Sequence, residues 1–522
     1  MKRKSFIKKS LPVAMLPVLI NGFNLKGYSK SPLLRLLGKN VAHPDRVFVV
    51  IQLNGGNDGL NTIIPLDQYS NLSKARNNIL INESKVLKLS GTTATGFHPA
   101  MTGLRSMYDE GLVSVVQSAG YPDPNFSHFR STDIWLSGSD SNQYLNDGWA
   151  GRFLAEEYPN FPNNYPNQTM PDPPAIQIGS SVSPMVQGPV VSMGMAISDP
   201  TNFYQLINGI VDTAPSTPAG KELTFVRMVA QQTMQYADSI KGAAAKATNK
   251  STLYPSNNKL ADQLKIVAQL IAGGLKTKIY IVNLNGFDTH ASQTDASATE
   301  TGDHATLLKR LSDAIYAFQD DLKLLNVDDK VAGMTFSEFG RRIASNASLG
   351  TDHGAAAPMI VFGKLVNPGI IGSNPAIANQ VGNADNVPMQ YDYRQIYASV
   401  LADWFGADAT EVLDVLSKKY ETLPIFKKSS SAAGMVAGVT ALLNYPNPCN
   451  GQTTFKVTTE KAGYIQIKLF DTLGKESETI IDQYLTPGSY EIPFKTDGLP
   501  KGNYYYVLHN GSGRMVRTLV KH

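Results

Sequence analysis

Cysteine is almost missing from this chain of 522 residues, which contains only Cys449. A single cysteine excludes an intramolecular disulfide framework and any zinc module built on cysteine pairs. An excess of one charge is also missing, because 47 Lys and Arg stand against 43 Asp and Glu. This balance argues against a protein that binds nucleic acid by neutralising phosphates. A transition-metal site would therefore have to use carboxylates and the eight histidines.

The sequence also lacks an N-terminal apolar run long enough to cross a bilayer. Leu11–Ile20 is apolar, but it is shorter than the roughly 20 residues of a membrane-spanning helix and contains two prolines. Basic residues precede it, so we predict an export signal over residues 1–30 and no transmembrane segment after its removal. Arg3-Lys4-Ser5-Phe6 resembles a twin-arginine motif with one arginine replaced, and an ordinary secretory signal remains the alternative.

The composition changes after Phe426. Residues 427–440 are small and polar, which is typical of a flexible linker. Residues 441–522 contain short alternating segments separated by turn residues, as in Thr453–Thr458 and Tyr464–Phe470. This pattern and length predict a small all-β sandwich.

Three motifs in this C-terminal region resemble the sorting domain of type IX (Por) secretion substrates. They are Tyr445-Pro446-Asn447-Pro448, Leu469-Phe470-Asp471-Thr472-Leu473-Gly474 and Pro500-Lys501-Gly502-Asn503-Tyr504-Tyr505. The resemblance implies a Bacteroidetes-type bacterium whose type IX machinery sends the chain through the periplasm to the outer cell surface or the medium. The alternative is a generic sandwich that binds glycan or protein.

Residues 40–426 alternate between apolar β-branched runs and helical patterns. The runs that we predict as strands are Val47–Leu53, Val113–Val116, Ile279–Leu284, Val331–Phe336 and Met359–Phe362. Alternating strands and helices predict an α/β domain with a mostly parallel sheet and flanking helices. Ligands of such domains bind outside the carboxyl ends of the strands.

Polar residues and glycine stand at one end of each predicted strand. Asp288 and His290 flank a single residue, so on an extended segment both side chains point the same way and can share an ion. Asp352 and His353 lie between glycines before the fifth strand and can serve one ion with its surroundings or two neighbouring ions. Ser127 begins a predicted helix, where it is either an N-cap or a nucleophile beside a metal. The guanidinium of Arg130 suits phosphate or sulfate oxygens.

Six motifs in order resemble the exported bacterial family known as domain of unknown function fifteen-oh-one, which is placed among alkaline-phosphatase-like and sulfatase-like proteins. They are residues 54–61, 127–135, 148–152, 286–290, 337–341 and 351–354. The resemblance implies a metal-dependent site with Ser127 as the nucleophile, and Arg130 and His128, in the same motif, are further catalytic candidates. It further implies Asp58 or Asn54 as the first metal ligand, Asp288 and His290 as ligands of one metal, and His353 as the last histidine.

One position departs from the superfamily pattern, which has an Asp-His pair where this chain has Glu338 and Phe339. Glu338 is a candidate ligand, whereas Phe339 cannot ligate. Either Asp352 and His353 replace the pair or a second metal is missing, so we expect one or two divalent ions, Zn²⁺ or alternatively Ca²⁺ or Mn²⁺.

The leading hypothesis is a metal-dependent hydrolase of phosphate or sulfate esters that acts on a small anionic ester or a glycan-linked substrate. The competing hypothesis is a non-catalytic secreted or surface protein that retains the fold and a degenerate metal site. In a third hypothesis the C-terminal sandwich carries the function by binding glycan or a partner.

Overall fold

The computed structural model describes residues 45–163, 165–167, 170–200, 236–427, 439–471, 476–510 and 514–522. The predicted export signal at residues 1–30 and most of the predicted linker lie outside these residues. The chain forms two compact units, a larger one of residues 45–404 and 411–427 and a smaller one that contains the described part of 428–522 with residues 405–410. The exact limits of the linker stay a prediction.

The larger unit is built on a nine-stranded sheet. Its strands are β1 (Val47–Asn54), β5 (Val113–Gly120), β6 (Ala175–Ile178), β7 (Gly194–Ile197), β8 (Ile279–Asn285), β9 (Val331–Phe336), β10 (Ala357–Gly363), β11 (Gly369–Ile371) and β12 (Tyr391–Asp392). The strand order is β11-β5-β10-β9-β1-β8-β6-β7, and β12 pairs with β5. A separate small sheet contains β2 (Ile63–Pro65), β3 (Leu87–Lys88) and β4 (Thr95–Phe97).

Most pairings in the large sheet are parallel, as predicted. β1 lies between β8 and β9 and is parallel to both, and β6 is parallel to β7 and β8. β10 is the exception, because it is antiparallel to β5 and β9. The start of β10 therefore lies at the same edge as the ends of β1, β5, β8 and β9, which explains how residues before β10 and after the other strands meet.

Helices cover both faces of this sheet. They are α1 (Gly59–Thr62), α2 (Tyr69–Arg76), α3 (Thr102–Asp109), α4 (His128–Ser137), α5 (Trp149–Glu157), α6 (Lys259–Ala272), α7 (Asp303–Leu324), α8 (Tyr393–Ser399) and α9 (Ala409–Leu416), and residues 236–246 are also helical. Short 3-10 turns lie at Leu66–Gln68, Glu83–Lys85 and Pro184–Val186, and a π-helical turn at Val400–Trp404.

The side chains of β1 alternate between the two cores. Val49 and Ile51 pack with α3, α6 and α7 on one face, whereas Phe48 faces the other side and meets Phe426 edge-on at 6.5 Å between ring centroids. On that second face Trp135 of α4 stacks on Phe336 of β9 at 5.7 Å. A strand buried on both sides explains why β1 reads as a continuous apolar run.

The smaller unit contains seven strands, β13 (Val439–Asn450), β14 (Gln452–Thr459), β15 (Gly463–Phe470), β16 (Glu476–Leu485), β17 (Gly488–Lys495), β18 (Gly502–His509) and β19 (Arg514–Lys521). β13, β14 and β17 pair antiparallel, as do β16, β15, β18 and β19, and the two sets meet where Cys449 pairs with Lys521. Their apolar side chains form one core, in agreement with the predicted all-β module. Among the described residues of the whole chain, helices are too short or too polar to cross a bilayer.

Candidate metal centre

Five of the predicted site residues meet at the carboxyl edge of the large sheet. Asp288 and His290 follow β8, Glu338 follows β9, His353 precedes β10, and His128 is the first residue of α4. Each comes from a connection at this edge, so the sheet brings together residues that lie up to 225 positions apart in the sequence, from 128 to 353.

Two glycines after β1 allow the loops to approach closely. Gly55 has φ +127°, and a Cβ there would lie 2.2 Å from the amide nitrogen of Asp288. Gly56 has φ +82°, and its Cβ would lie 2.3 Å from Cε2 of Phe339. Both positions therefore require glycine on grounds of conformation and space. The amide of Gly55 also donates to Oε1 of Glu338 at 2.9 Å.

Asp288 is at the centre of the cluster. Its Oδ1 lies 2.8 Å from Nη2 of Arg341, 2.8 Å from Nδ1 of His290 and 3.3 Å from Nε2 of His353. Its Oδ2 lies 3.5 Å from Nε2 of His128. Partial burial opposes the charge, but the hydrogen bond and the charge of Arg341 prevail and lower the pKa of Asp288 to about 2. Asp288 is therefore a carboxylate at neutral pH.

His353 directs an unprotonated nitrogen at this carboxylate. Its Nδ1 lies 2.7 Å from the carbonyl oxygen of Phe126, and because a carbonyl only accepts, Nδ1 carries a hydrogen. Burial lowers the pKa of His353, which favours the neutral ring. In that ring Nε2 has a lone pair, and it faces Asp288 Oδ1, which is also an acceptor.

His128 has the same arrangement. Its Nδ1 lies 2.8 Å from Oε1 of Glu338, an oxygen that already accepts from Gly55. Nδ1 therefore donates, and the other ring nitrogen, Nε2, faces Asp288. Binding of Nδ1–H by a carbonyl or carboxylate is the usual way in which proteins orient a metal-ligating histidine.

These three residues form a group suited to a metal ion. One ligand atom from each of His128, Asp288 and His353 lies within 4.8 Å of the others, and in the described part of the chain this is the one such group of three or more. Nε2 of His353 lies 3.3 Å from Oδ1 of Asp288 and Nε2 of His128 lies 3.5 Å from its Oδ2, so each ring approaches a different oxygen of the carboxylate. Each separation is close to the roughly 3.3–3.5 Å between two ligand atoms of a tetrahedral ion at about 2.0–2.1 Å. His290 lies beside the group, with its ring 4.5 Å from that of His353.

Arg341 holds the surrounding loops together. Its guanidinium is fully buried and donates to the carbonyl oxygens of Gly56 at 2.6 Å, Thr351 at 2.7 Å and Phe287 at 3.0 Å, as well as to that of Gly55. These bonds and the one to Asp288 engage the guanidinium N–H groups in bonds within the protein. Arg341 therefore contributes positive charge to the site.

Phe339 forms an apolar wall behind the histidines. It is 2% exposed, and its ring lies 4.9 Å from the ring of His128 and 4.3 Å from that of His353. The residue that departs from the superfamily pattern therefore packs against two of the three members of the group.

Five predicted ligands lie outside the group: His290 and Glu338 contact its members, whereas Asp58, Asn54 and Asp352 have other partners. Asp58 is 1% exposed and accepts from Nη1 of Arg76 at 2.8 and 3.0 Å, so that its oxygens face a buried arginine. Burial opposes the charge of Asp58, but Arg76 lowers its pKa below the usual value. Asn54 donates to Oδ1 of Asn285 at 2.6 Å, and the exposed Asp352 accepts from Asn346 at 3.1 Å.

The structure places Ser127 and Arg130 on either side of His128. Ser127 is the N-cap of α4, its hydroxyl makes no capping hydrogen bond, and the residue is exposed. Arg130 pairs with Asp133, donates to the carbonyl of Gln143 at 2.6 Å and lies 3.8 Å from the ring centroid of Tyr144. Arg130 is thus engaged in protein contacts.

No sequence pattern indicates two of the buried residues that support the site. Gln293 is completely buried and donates to Oδ2 of Asp58 at 2.6 Å, and Arg76 is the buried partner of Asp58. Their contacts join residues 235 and 18 positions apart, so no local pattern reveals them.

Three solved structures are distantly similar to this chain. Dimeric latent PorU from Porphyromonas gingivalis is 16% identical over 15% of this chain and 9% of that chain, with a TM-score of 0.14. A protein in the alkaline phosphatase superfamily from Vibrio parahaemolyticus is 10% identical over 86% of this chain and 79% of that chain, with a TM-score of 0.31. The PsFucS1 sulfatase from Pseudoalteromonas sp. is 10% identical over 89% of this chain and 86% of that chain, with a TM-score of 0.31.

Comparison with protein families gives two matches, whereas no curated protein matches the chain. Residues 444–522 match the secretion system C-terminal sorting domain. The chain is accordingly a substrate of the type IX secretion machinery that is exported to the cell surface or the medium. Residues 95–416, more than half of the chain and including α4 and the loops of Asp288, Glu338 and His353, match a second model. The chain belongs to the family described as protein of unknown function (DUF1501).

Proposed function

We propose that this secreted protein is a hydrolase of phosphate or sulfate esters that uses one divalent metal ion held by His128, Asp288 and His353. The observation that carries the proposal is the arrangement of the two imidazole rings. Each has its Nδ1 bound by an oxygen acceptor, and each directs Nε2 at the same carboxylate at 3.3 or 3.5 Å. A divalent cation at that point would be bound by both Nε2 atoms and the carboxylate together.

The donor set indicates which ion fits. Two imidazole nitrogens and one carboxylate oxygen suit Zn²⁺, and Mn²⁺ less well, whereas Ca²⁺ prefers six to eight oxygen ligands. Three protein ligands are also the number found in catalytic zinc sites, which leave one position for water or substrate. We therefore favour a single Zn²⁺. Asp58 would not bind this ion, and its buried ion pair with Arg76 would instead stabilise the loops around the site.

When bound, such an ion lowers the pKa of a coordinated hydroxyl or water and polarises an ester oxygen. Ser127 supplies a hydroxyl beside it, because the preceding residue binds His353 through its carbonyl and the following residue is His128. His290 is the candidate for proton transfer. Its Nδ1 lies 2.8 Å from Oδ1 of Asp288, which orients the ring and leaves Nε2 to hold a proton or pass it to a leaving oxygen.

Metal content and turnover test the proposal directly. Chain expressed without residues 1–30 should contain one zinc ion per molecule by elemental analysis and hydrolyse members of an aryl phosphate and aryl sulfate panel. Ser127→Ala should retain the metal and lose at least about 100-fold in kcat, the scale of a missing catalytic group. His353→Ala should lose the metal. Ser84→Ala, at another exposed serine, is the matched control and should change neither quantity.

A chain that binds less than one ion and hydrolyses none of these esters would refute the proposal. A chain that binds one ion without turnover would instead support the second candidate function, a non-catalytic surface protein with a retained metal site. The packing of Phe339 against His128 and His353 favours that candidate, because an apolar side chain there stabilises the site without taking part in chemistry.

A further inference from the structure

A buried glutamine connects the candidate metal centre to the interior of the larger unit. Gln293 has no exposed surface, and its amide makes three side-chain contacts. Nε2 donates to Asp58 Oδ2 at 2.6 Å, while Oε1 accepts from the hydroxyls of Thr289 at 3.1 Å and Thr351 at 2.8 Å. The amide therefore joins the Asp58–Arg76 ion pair to two threonines.

Both threonines belong to loops that carry members of the metal group. Thr289 directly follows Asp288, and Thr351 lies two residues before His353. The two loops are also joined through their backbones, since the amide of Thr351 donates to the carbonyl of Thr289 at 3.2 Å. Asp288 is 48% exposed, so packing alone does not fix its side chain. Its position therefore depends on the buried threonines of the two loops.

Gln293 is itself held in place. Its backbone N–H donates to the backbone carbonyl of Leu349 at 2.9 Å, and its backbone carbonyl accepts from the backbone N–H of His304 at 3.1 Å. At the other end of the network Arg76 donates to the carbonyls of Ile343 at 2.8 Å and Arg342 at 2.6 Å, which lie in the segment between β9 and β10. The contacts of Gln293 thus span three connections at the carboxyl edge.

The chemistry of this position requires an amide. The group must donate to a carboxylate and accept from two hydroxyls, which a carboxamide does with its two ends. Leucine would deprive the two buried threonine hydroxyls of this acceptor and remove one of the hydrogen bonds to Asp58, whose Oδ2 would still accept from Arg76 at 2.8 Å. Glutamate would place a second carboxylate beside Asp58.

We propose that Gln293 is a positioning residue that fixes the spacing of Asp288 and His353 for metal binding. This role of Gln293 rests on the proposed metal site. It means that a residue that is not itself a ligand helps to set the affinity of the site for the metal ion. Loss of a contact that orients metal ligands typically weakens metal binding about 10–100-fold, and that range is the effect expected for Gln293.

Zinc titration of the full chain by calorimetry tests the proposal, with Co²⁺ absorption in the visible range as a second readout of ligand geometry. Gln293→Leu should bind Zn²⁺ about 10–100-fold more weakly and show an altered Co²⁺ spectrum. Gln319→Leu is the matched control, because Gln319 is a 5% exposed glutamine whose Oε1 has no hydrogen-bond partner in the described structure. Gln319 lines a separate cleft with Glu110 and Lys364, and the control should bind Zn²⁺ as the parent does.

Threonine variants keep the test decisive if Gln293→Leu fails to fold. Thr351→Val removes only the hydroxyl and should weaken Zn²⁺ binding, whereas Thr351→Ser retains the hydroxyl and should restore it. Parental Zn²⁺ affinity in both Gln293→Leu and Thr351→Val would overturn the positioning role while leaving the metal site in place. Failure of the parent chain to bind Zn²⁺ would overturn the metal site and, with it, the role of Gln293.

Discussion

The ion pair between Asp58 and Arg76 allows a quantitative prediction of stability, because both side chains are buried. Arg76 has no exposed side-chain surface and Asp58 has 1%. Asp58→Asn removes the negative charge while keeping the shape of the side chain. The guanidinium would then be buried without its counter-ion, although its bonds to the carbonyls of Ile343 and Arg342 would remain.

The expected cost follows from that burial. Removing one partner of a buried ion pair costs about 3–5 kcal/mol, and the remaining carbonyl bonds place the expectation near 3 kcal/mol. Asp109→Asn is the matched control, because it breaks an ion pair with Arg105 in which the two side chains are 29% and 45% exposed. Solvent screening limits that pair to about 0–1 kcal/mol.

Urea unfolding monitored by tryptophan fluorescence gives the free energy. The chain has three tryptophans, Trp135, Trp149 and Trp404, and all are buried in the larger unit. The signal therefore reports on the unit that contains Asp58. In a double variant, Asp58→Leu with Arg76→Met, neither charge remains, so this variant should lose less stability than Asp58→Asn.

The effect should also depend on pH. The pKa of Asp58 in the folded chain lies below its usual value of 3.8, so the stability from its charge is present above that value and lost as the pH falls through the folded pKa. The difference between parent and Asp58→Asn should thus be full at pH 7 and smaller at pH 3. A loss at pH 7 no larger than that of Asp109→Asn, or one independent of pH, would refute the reasoning.

Two further predictions concern the loop after β1 and the smaller unit. Gly56→Ala should weaken Zn²⁺ binding in calorimetry, because the new Cβ would displace Phe339. Gly91→Ala is the control, since Gly91 has a similar φ of +78° but open space around it. This control should lower the free energy of unfolding by about 1 kcal/mol and leave Zn²⁺ binding unchanged. Truncation after Lys427 should leave the fluorescence-detected unfolding midpoint and any ester turnover unchanged and abolish export, measured by fractionation of cells and medium. Loss of turnover on truncation would contradict the independence of the larger unit.

Strands buried on both sides were the most predictable part of the fold. The predicted bounds of β1, β8 and β9 agree with the structure to within one residue, since short, continuous β-branched runs favour a buried strand over other secondary structure. β6 and β7 were missed because each has only four residues, and their place beside β8 depends on tertiary pairing. In the smaller unit β13, β16 and β19 were missed for lack of clear alternation.

The site was predictable where it follows from strand ends and unpredictable where it depends on burial. Asp288 and His290 meet His353 because the connections after β8 and before β10 lie at one edge of the sheet, a consequence of topology. Asp58 also follows a strand, yet its side chain turns inward to Arg76, and a sequence pattern cannot show which way it faces. Arg130 was a candidate for substrate oxygens, but its contacts with Asp133 and Gln143 bind it to its own chain.

The charge balance of the candidate metal centre predicts the order in which the proposed ion and an anionic ester would bind. Asp288 and Glu338 place two carboxylates against the single guanidinium of Arg341, so the cluster has an excess of negative charge that repels anions. A divalent ion reverses that sign, and the low exposure of Glu338 and Arg341 limits screening by solvent. The arginine hydrogens are already bound to protein oxygens, so attraction for an ester oxygen would come from the ion and from the field of Arg341. Binding of an anionic ester should therefore require the ion first.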